Sequence, residues 1–129
     1  MRLTLSVEPG LYAVHRGDAG SVATPSRPAE DSALRVHFSG AGEFGGVCPE
    51  EEVPPGSRVE GGWRWLRVHG PLPFTAIGVL ARLSAPLAAA EISIFVVSSF
   101  DTDHLLVADD RLPDAIAALR AADFEVIAG

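Results

Sequence analysis

The sequence predicts an α+β protein whose second half has the ferredoxin-like order β-α-β-β-α-β. One observation is that alternating, strand-like segments and helix-like segments follow one another in that order from residue 63 onward. The other is that glycine and proline interrupt the first half repeatedly, between short strand-like segments. Together they indicate an antiparallel sheet with two helices on one face, joined to an irregular partner half.

The first strand and first helix of the second half have different periods. Residues 63–69 alternate between two usable faces, which predicts a strand, and Gly70 and Pro71 end it. Residues 75–90 repeat apolar positions every three or four residues, which predicts a helix with a kink at Pro86, because proline lacks the N–H of a helical bond. The predicted apolar face of this helix consists of Ile77, Leu80, Leu83 or Ser84, and Leu87.

A hairpin follows the first helix. Residues 92–100 predict a strand whose first half is buried on both sides, because almost no polar side chain interrupts it. Residues 101–103 are turn formers, and residues 104–108 complete the hairpin.

A second helix and a last strand complete the second half. Asp109 or Asp110 is predicted to cap the helix, and Pro113 is tolerated in its first turn. Residues 125–128 predict the strand. The apolar stripe of the helix is predicted at Leu112, Ile116 and Leu119.

Four short strands are predicted in the first half, at residues 3–7, 11–14, 34–38 and 44–48. Residues 17–30 have no convincing period and predict a loop or a short, poor helix. The glycines near residue 61 divide the chain into 1–61 and 62–129. A ferredoxin-like unit of the size of 62–129 buries little surface and exposes its sheet edges, so we expect it to pair with a neighbour.

Composition and charge exclude several classes of function. The 129 residues include 17 acids against 10 basic residues, for a net charge of −7, which opposes a nucleic-acid partner. The longest apolar run, residues 92–100, falls far short of the roughly 20 residues of a membrane span. With one cysteine, Cys48, and no recognisable leader, we expect a cytoplasmic protein without disulfides or a membrane partner.

No motif in the sequence indicates an enzyme or a metal site. The chain contains no nucleophile elbow, Walker loop, zinc-protease motif or paired cysteines. It has no Asn, which excludes the chemistry of acylphosphatases, whose fold is similar. His104 lies beside Asp103 but has no second His or Cys at ligand spacing. We therefore predict no catalytic residues, no cofactor and no metal, and Cys48 is interpreted as a buried structural thiol.

Three segments of the second half resemble the ACT superfamily. They read GPLPFTAIGVL at 70–80, LSAPL at 83–87 and ISIFVVSSFDTDHLLV at 92–107. More narrowly, the chain resembles small bacterial proteins with tandem ACT-like halves, related to the regulatory ACT pairs of aspartate kinases and to cytosolic arginine sensors. In the first half the resemblance rests on EFGGVCPE at 43–50, where the family's strand has Ser and Val in place of Gly45 and Gly46. It implies a degenerate ACT-like half at 1–61 and an ACT domain at 62–129.

The resemblance further implies a non-catalytic regulatory protein that binds an amino acid or similar metabolite where ACT units meet, in a homodimer or larger assembly. Gly78, at the start of the first helix, would let backbone N–H groups receive a carboxylate. Asp103 would face a basic group, whereas Ala81 replaces a second acid of the arginine sensors and so argues against arginine. The ligand-binding residues implied are Thr75, Ala76, Ile77, Gly78, Val79, Ser98, Ser99, Phe100, Asp101, Thr102 and Asp103.

Simpler readings of these residues stay open. Gly78 also suits tight packing between helix and strand, and Asp101, Thr102 and Asp103 are ordinary turn formers. The alternative function is a structural or partner-binding oligomerisation module whose ligand site has decayed.

Overall fold

The structure is a computed structural model that describes residues 2–17 and 31–128. The predicted α+β, ferredoxin-like fold is confirmed. The predicted loop or poor helix at 17–30 lies outside the described residues, apart from Gly17, which ends a strand. The elements are β1 (Thr4–Val7), β2 (Tyr12–Gly17), β3 (Val36–Gly40), β4 (Glu43–Pro49), a 3-10 turn (Glu50–Glu52), β5 (Arg58–Val68), α1 (Val79–Ala89), β6 (Ile94–Ser98), β7 (Asp103–Ala108), a second 3-10 turn (Asp109–Arg111), α2 (Leu112–Ala121) and β8 (Glu125–Ala128).

The chain forms two compact units that do not follow its two halves. The first consists of Met1–Gly10 and Trp63–Gly129, and the second of Leu11–Gly62. The limit between Gly62 and Trp63 lies inside β5, next to the sequence division at residue 61, and that division into two domains stays a prediction. The first ten residues, however, belong with the second half of the chain.

Strand β1 explains this division. It pairs antiparallel with β5, where Leu5 lies opposite Val68, and parallel with β8, where Leu5 lies opposite Val126. The strand order of the first unit is therefore β8-β1-β5-β7-β6, one strand more than the predicted unit contains. Leu3 and Leu5 are buried in the same core as these partners, so hydrophobic burial favours this placement.

The core of the first unit lies between its sheet and the two helices. Alternate residues of β5, β7 and β8 face the helices, as the period of two requires. Its buried members are Leu3, Leu5, Leu66, Val68, Val79, Leu83, Leu87, Ile92, Leu105, Val107, Leu112, Ala115, Leu119, Phe124 and Val126.

Helix α1 begins four residues later than predicted, and its buried face differs accordingly. The prolines at 71 and 73 and the positive φ of Gly78 keep the preceding segment out of the helix. Ile77 is 95% exposed and Leu80 is also exposed, so the predicted face was wrong at both positions. Helical structure continues through Pro86, and the kink there stays a prediction. The buried face consists of Val79, Leu83 and Leu87.

Two further expectations were wrong. Strand β6 is not buried on both sides: Phe95 is 38% exposed, because among the described strands β6 pairs only with β7 and so lies at a sheet edge. Neither Asp109 nor Asp110 caps α2, since both lie in the 3-10 turn before it and Arg111 occupies the cap position. The buried stripe of α2 is Leu112, Ala115 and Leu119, with Ile116 partly buried.

In the second unit, β4 pairs antiparallel with both β2 and β3. The two glycines of β4 lie within this pairing. A Cβ atom on Gly45 would overlap the carbonyl oxygen of His15, and one on Gly46 would overlap that of Val36. Close backbone approach therefore requires both glycines, while β4 keeps its strand pairing. That this unit is a degenerate ACT-like half stays a prediction.

Within residues 2–17 and 31–128, neither α-helix is both long enough and apolar enough to cross a bilayer.

Replacing Leu5 with Ala tests the placement of β1. Leu5 is fully buried, so Leu5→Ala should lower the free energy of unfolding by about 2–5 kcal/mol, measured by urea denaturation. The same change at Leu11, which is 40% exposed, should alter it by no more than about 0.5 kcal/mol. Equal, small effects at both positions would contradict the packing of β1 in the core.

Candidate functional site

A cavity of about 240 Å³ opens beside the start of α1 in the first unit. One wall is the segment that leads into the helix, and the other is the connection between β6 and β7. The cavity is thus bounded by the two regions that the sequence singled out. Its lining residues are Leu72, Pro73, Phe74, Ala76, Val79, Ser98, Ser99, Phe100, Asp101, Thr102 and Asp103.

The structure brings most of the predicted site residues to this cavity. Thr75, Ile77 and Gly78 are exposed and do not line it. Leu72, Pro73 and Phe74 also line it, although the sequence did not predict them as site residues. The signal that could have found them is their place in the proline-rich segment directly before α1.

Gly78 is explained by its backbone conformation rather than by close packing. Its φ is 77°, in the left-handed region that glycine adopts without a steric penalty, and a Cβ atom there would meet nothing within 4 Å. The interpretation as a tight helix–strand contact was therefore wrong. Gly78 makes the turn into α1, which brings Val79 and the positive end of the helix dipole to the cavity wall.

Asp103 supplies the cavity with a carboxylate held in one orientation. Ser98 Oγ donates a hydrogen bond to its Oδ1 atom over 2.6 Å. Among the described residues no group donates to Oδ2, so that oxygen can accept a hydrogen bond from a bound molecule. Asp101 adds a second, exposed carboxyl group to the lining.

The hydroxyls of Ser99 and Thr102 are already engaged inside the protein. Thr102 is buried, and its Oγ1 donates to the carbonyl oxygen of Val68 at 2.9 Å. Ser99 Oγ donates to the carbonyl oxygen of Thr102 at 3.0 Å. The Ser99 N–H also donates to that carbonyl oxygen, at 2.8 Å. These two residues therefore shape the β6–β7 connection and do not offer a ligand free hydroxyl protons.

The mouth of the cavity is apolar. Phe74 and Phe100 are 77% and 79% exposed, and their rings meet edge to face with centroids 4.9 Å apart. The highly exposed Ile77 follows close by in the chain. A cluster of large apolar side chains in water is typical of a surface that another molecule covers.

A second cavity, of about 280 Å³, shares Ser99, Asp101 and Thr102 with the first. Its other lining residues are Arg67, Gly70, Pro71 and His104. The N–H of Leu72 donates to the carbonyl oxygen of Asp101 at 2.7 Å, which ties the β6–β7 connection to the segment before α1. The walls of the first cavity are therefore joined to each other.

Within the parts of the chain that the structure describes, no three His, Cys, Asp or Glu side chains are grouped so that they could hold a metal ion. Cys48 is buried, and its burial, followed by the charge of Glu52, raises the pKa of its thiol. A raised pKa leaves the thiol protonated and poorly nucleophilic.

Replacing Thr102 with Val tests whether the Thr102 hydroxyl holds the cavity wall. Thr102→Val keeps the side-chain shape but removes the bond to Val68, so the free energy of unfolding should fall by about 1–3 kcal/mol in urea denaturation. Thr75→Val, at an exposed position, should change it by less than about 0.5 kcal/mol. A neutral Thr102→Val would show that this hydrogen bond does not stabilise the fold.

The family model described as ACT domain matches residues 58–121. The human protein named cytosolic arginine sensor for mTORC1 subunit 1 is 42% identical over 59 residues, which are 45% of this chain and 18% of the sensor. The chain thus matches less than a fifth of the length of that relative.

Two solved structures are similar over nearly the whole chain. A crystal structure from Agobacterium tumefaciens is 30% identical with a TM-score of 0.86, and the match covers 100% of this chain and 95% of that one. The ligand-free regulatory subunit of aspartate kinase from Thermus thermophilus has a TM-score of 0.61 over 92% of this chain and 95% of that one. At 10% identity, the latter likeness concerns the fold alone.

Proposed function

The chain belongs to the ACT-domain family, and from that premise we propose that it is a non-catalytic regulatory protein that binds an amino acid. In this proposal the ligand lies at the cavity beside α1, between ACT units of a homodimer or larger assembly in the cytoplasm. A relative named as an arginine sensor supports the regulatory role.

The observation that carries the proposal is the pairing of opposite charges at one cavity. Asp103 offers a carboxylate, and the start of α1 at Val79 offers the positive end of a helix dipole. A free amino acid has an ammonium group and a carboxylate on neighbouring atoms, so it complements both. The volume of about 240 Å³ lies below the range of roughly 300–1,000 Å³ typical of drug-sized ligands, as suits a small metabolite.

Ala81 narrows the class of amino acid. It lies in the first turn of α1 and carries no acid, and the helix has no acidic residue in that turn. A guanidinium group with its several donors would therefore find no carboxylate from α1 to add to Asp103. This arrangement favours an amino acid other than arginine.

The apolar mouth supports the placement of the ligand between units. Phe74, Phe100 and Ile77 lie around or near a half-open cavity, and a second copy of the chain would remove them from water. A ligand sealed in this way would link binding to assembly, which is the coupling that an allosteric regulator needs.

A thermal-shift screen of the purified protein against the twenty amino acids, followed by calorimetry, tests the function. An amino acid at 100 times its dissociation constant should stabilise the protein by about 2.7 kcal/mol. A well-folded protein that none of the twenty stabilises would contradict the proposal. That result would favour the alternative, a partner-binding oligomerisation module, for which the apolar mouth of the cavity is the supporting observation.

Asp103→Asn tests the carboxylate. The variant keeps the side-chain shape and loses the charge that would face the ammonium group, so it should weaken the affinity of the amino acid identified in the screen roughly tenfold to hundredfold in calorimetry. Asp110→Asn makes the same charge change at an exposed position away from the cavity and should leave the affinity unchanged. Equal affinities of the two variants for the amino acid would show that Asp103 does not bind it.

Ile77→Asp tests the assembly. A charge at this exposed apolar position should prevent a second copy from covering the mouth, so ultracentrifugation should show the mass fall from a dimer or larger species to a monomer. Ile127→Asp changes the same residue type at an exposed position on β8 and should keep the mass of the parent. A parent that is already monomeric, with or without the amino acid, would contradict binding between copies.

A further inference from the structure

A chain of hydrogen bonds runs from the sheet to the β6–β7 turn, residues 99–102. Trp65 on β5 and His104 on β7 are both buried, and their ring centroids lie 5.7 Å apart. Trp65 Nε1 lies 3.1 Å from His104 Nδ1, and His104 Nε2 lies 3.0 Å from Ser99 Oγ. Ser99 Oγ lies 3.0 Å from the carbonyl oxygen of Thr102, which closes the turn.

The first member of this chain decides where the protons lie. An indole N–H can only donate, so Nδ1 of His104 must accept. A neutral imidazole then carries its proton on Nε2, which donates to Ser99 Oγ. The Ser99 hydroxyl in turn directs its own proton to the carbonyl oxygen of Thr102. All three bonds therefore run in one direction, from Trp65 to the turn.

From this geometry we infer that His104 is a positioning residue, which holds the β6–β7 turn in the shape that lines both cavities only while its imidazole is neutral. A protonated ring has an N–H on both nitrogens, so its Nδ1–H would oppose the Trp65 N–H in a buried place. One of these donors would lose its partner, which is unfavourable away from water. The two opposed N–H groups can separate only if the ring moves, and that movement also displaces the hydrogen bond from the ring to Ser99.

Charged and titratable groups of both signs lie near His104. Arg67 lies opposite it on β5 and is paired with Glu8 at 2.8 Å. Asp103 precedes it on β7, and Asp101 lines the same cavity. His69 lies two residues beyond Arg67, and its Nε2 shares a hydrogen bond with Ser6 Oγ.

Burial, followed by the charge of Arg67, lowers the pKa of His104 from its usual value near 6.5, while Asp103 opposes the shift. Because the folded pKa lies below the unfolded one, the neutral ring favours the folded state fully above about pH 6.5. This contribution is lost as the pH falls from there through the folded pKa. The turn should therefore be ordered at neutral pH and loosen once the pH falls below the folded pKa of His104.

The test on the turn uses ligand-free protein. Long-range ¹H–¹⁵N NMR spectra at about pH 7.5 should show the proton of His104 on Nε2. On acidification through the midpoint of the His104 ring, the amide signals of Ser99 and Thr102 should change with that same midpoint. A proton on Nδ1, or turn signals that stay fixed while the ring titrates, would overturn the inference.

Two tryptophan variants identify the cause. Trp65→Phe removes the donor that opposes the protonated ring, so the midpoint of His104 should rise and the turn signals should follow it. Trp63→Phe is the matched control on the same strand. The Nε1 of Trp63 is buried and has no acceptor among the described residues, so removing it takes no hydrogen bond away from His104. Equal midpoints in the two variants would contradict the role of Trp65. If Trp65→Phe does not fold, the wild-type tautomer and titration decide the question.

The consequence for binding rests on the proposed function. Stabilisation by any of the twenty amino acids should be severalfold weaker at a pH below the measured midpoint of His104 than at about pH 7.5. No stabilisation at either pH, with a turn that titrates with His104, would overturn the proposed function and leave the role of His104 in the turn intact. An amino acid that stabilises equally at both pH values while the turn titrates would overturn the link between turn and site.

Discussion

The first unit depends on β1 lying between β5 and β8. Both neighbours form backbone hydrogen bonds to it, and its Leu5 is fully buried under the helices. Without β1, two strands would present unpaired backbone groups and the core would contain a cavity, and both defects are costly. The position of β5, and hence of β7 and its turn, follows from this pairing. The position of the candidate site therefore depends on β1, although β1 is far from the site in sequence.

Local pattern was sufficient to predict the type and order of most elements. The strands at residues 63–69 and 104–108 and the second helix have clear periods, so burial on one face specifies them. The partner of β1 was not predictable, because alternation in residues 3–7 shows that one face is buried but not which sheet buries it. The start of α1 was misjudged because Ile77 continues the helical spacing, whereas the conformation of Gly78 prevents the helix from including it.

The candidate site was also predictable only in part, because the sequence shows residue types but not their contacts. Hydroxyl and carboxylate side chains near the turn are visible in the sequence, and the structure brings Ser98 and Asp103 together at the cavity. The sequence does not show which hydroxyls are already engaged inside the protein. Thr102 and Ser99 looked like ligand contacts, yet their hydroxyl protons are directed to backbone carbonyls. The sequence places His104 in the hairpin beside Asp103 but does not show its partner, because Trp65 lies on another strand.

These contacts also connect the two cavities physically. Residues of the β6–β7 turn form walls of both, and the bond from Leu72 to Asp101 links that turn to the segment before α1. The two cavities therefore share walls that are joined by backbone hydrogen bonds and not only by side-chain packing. A continuous network of this kind is one physical route for coupling between neighbouring sites.

The placement of β1 also affects how the protein folds during synthesis. A ribosome adds roughly 5–20 residues per second, so β1 emerges several seconds before β5 and longer still before β8. During that interval Leu3 and Leu5 have no core to enter, and β1 has free edges on both sides. The first unit can complete its sheet only after β5 and β8, the two partners of β1, have been synthesised.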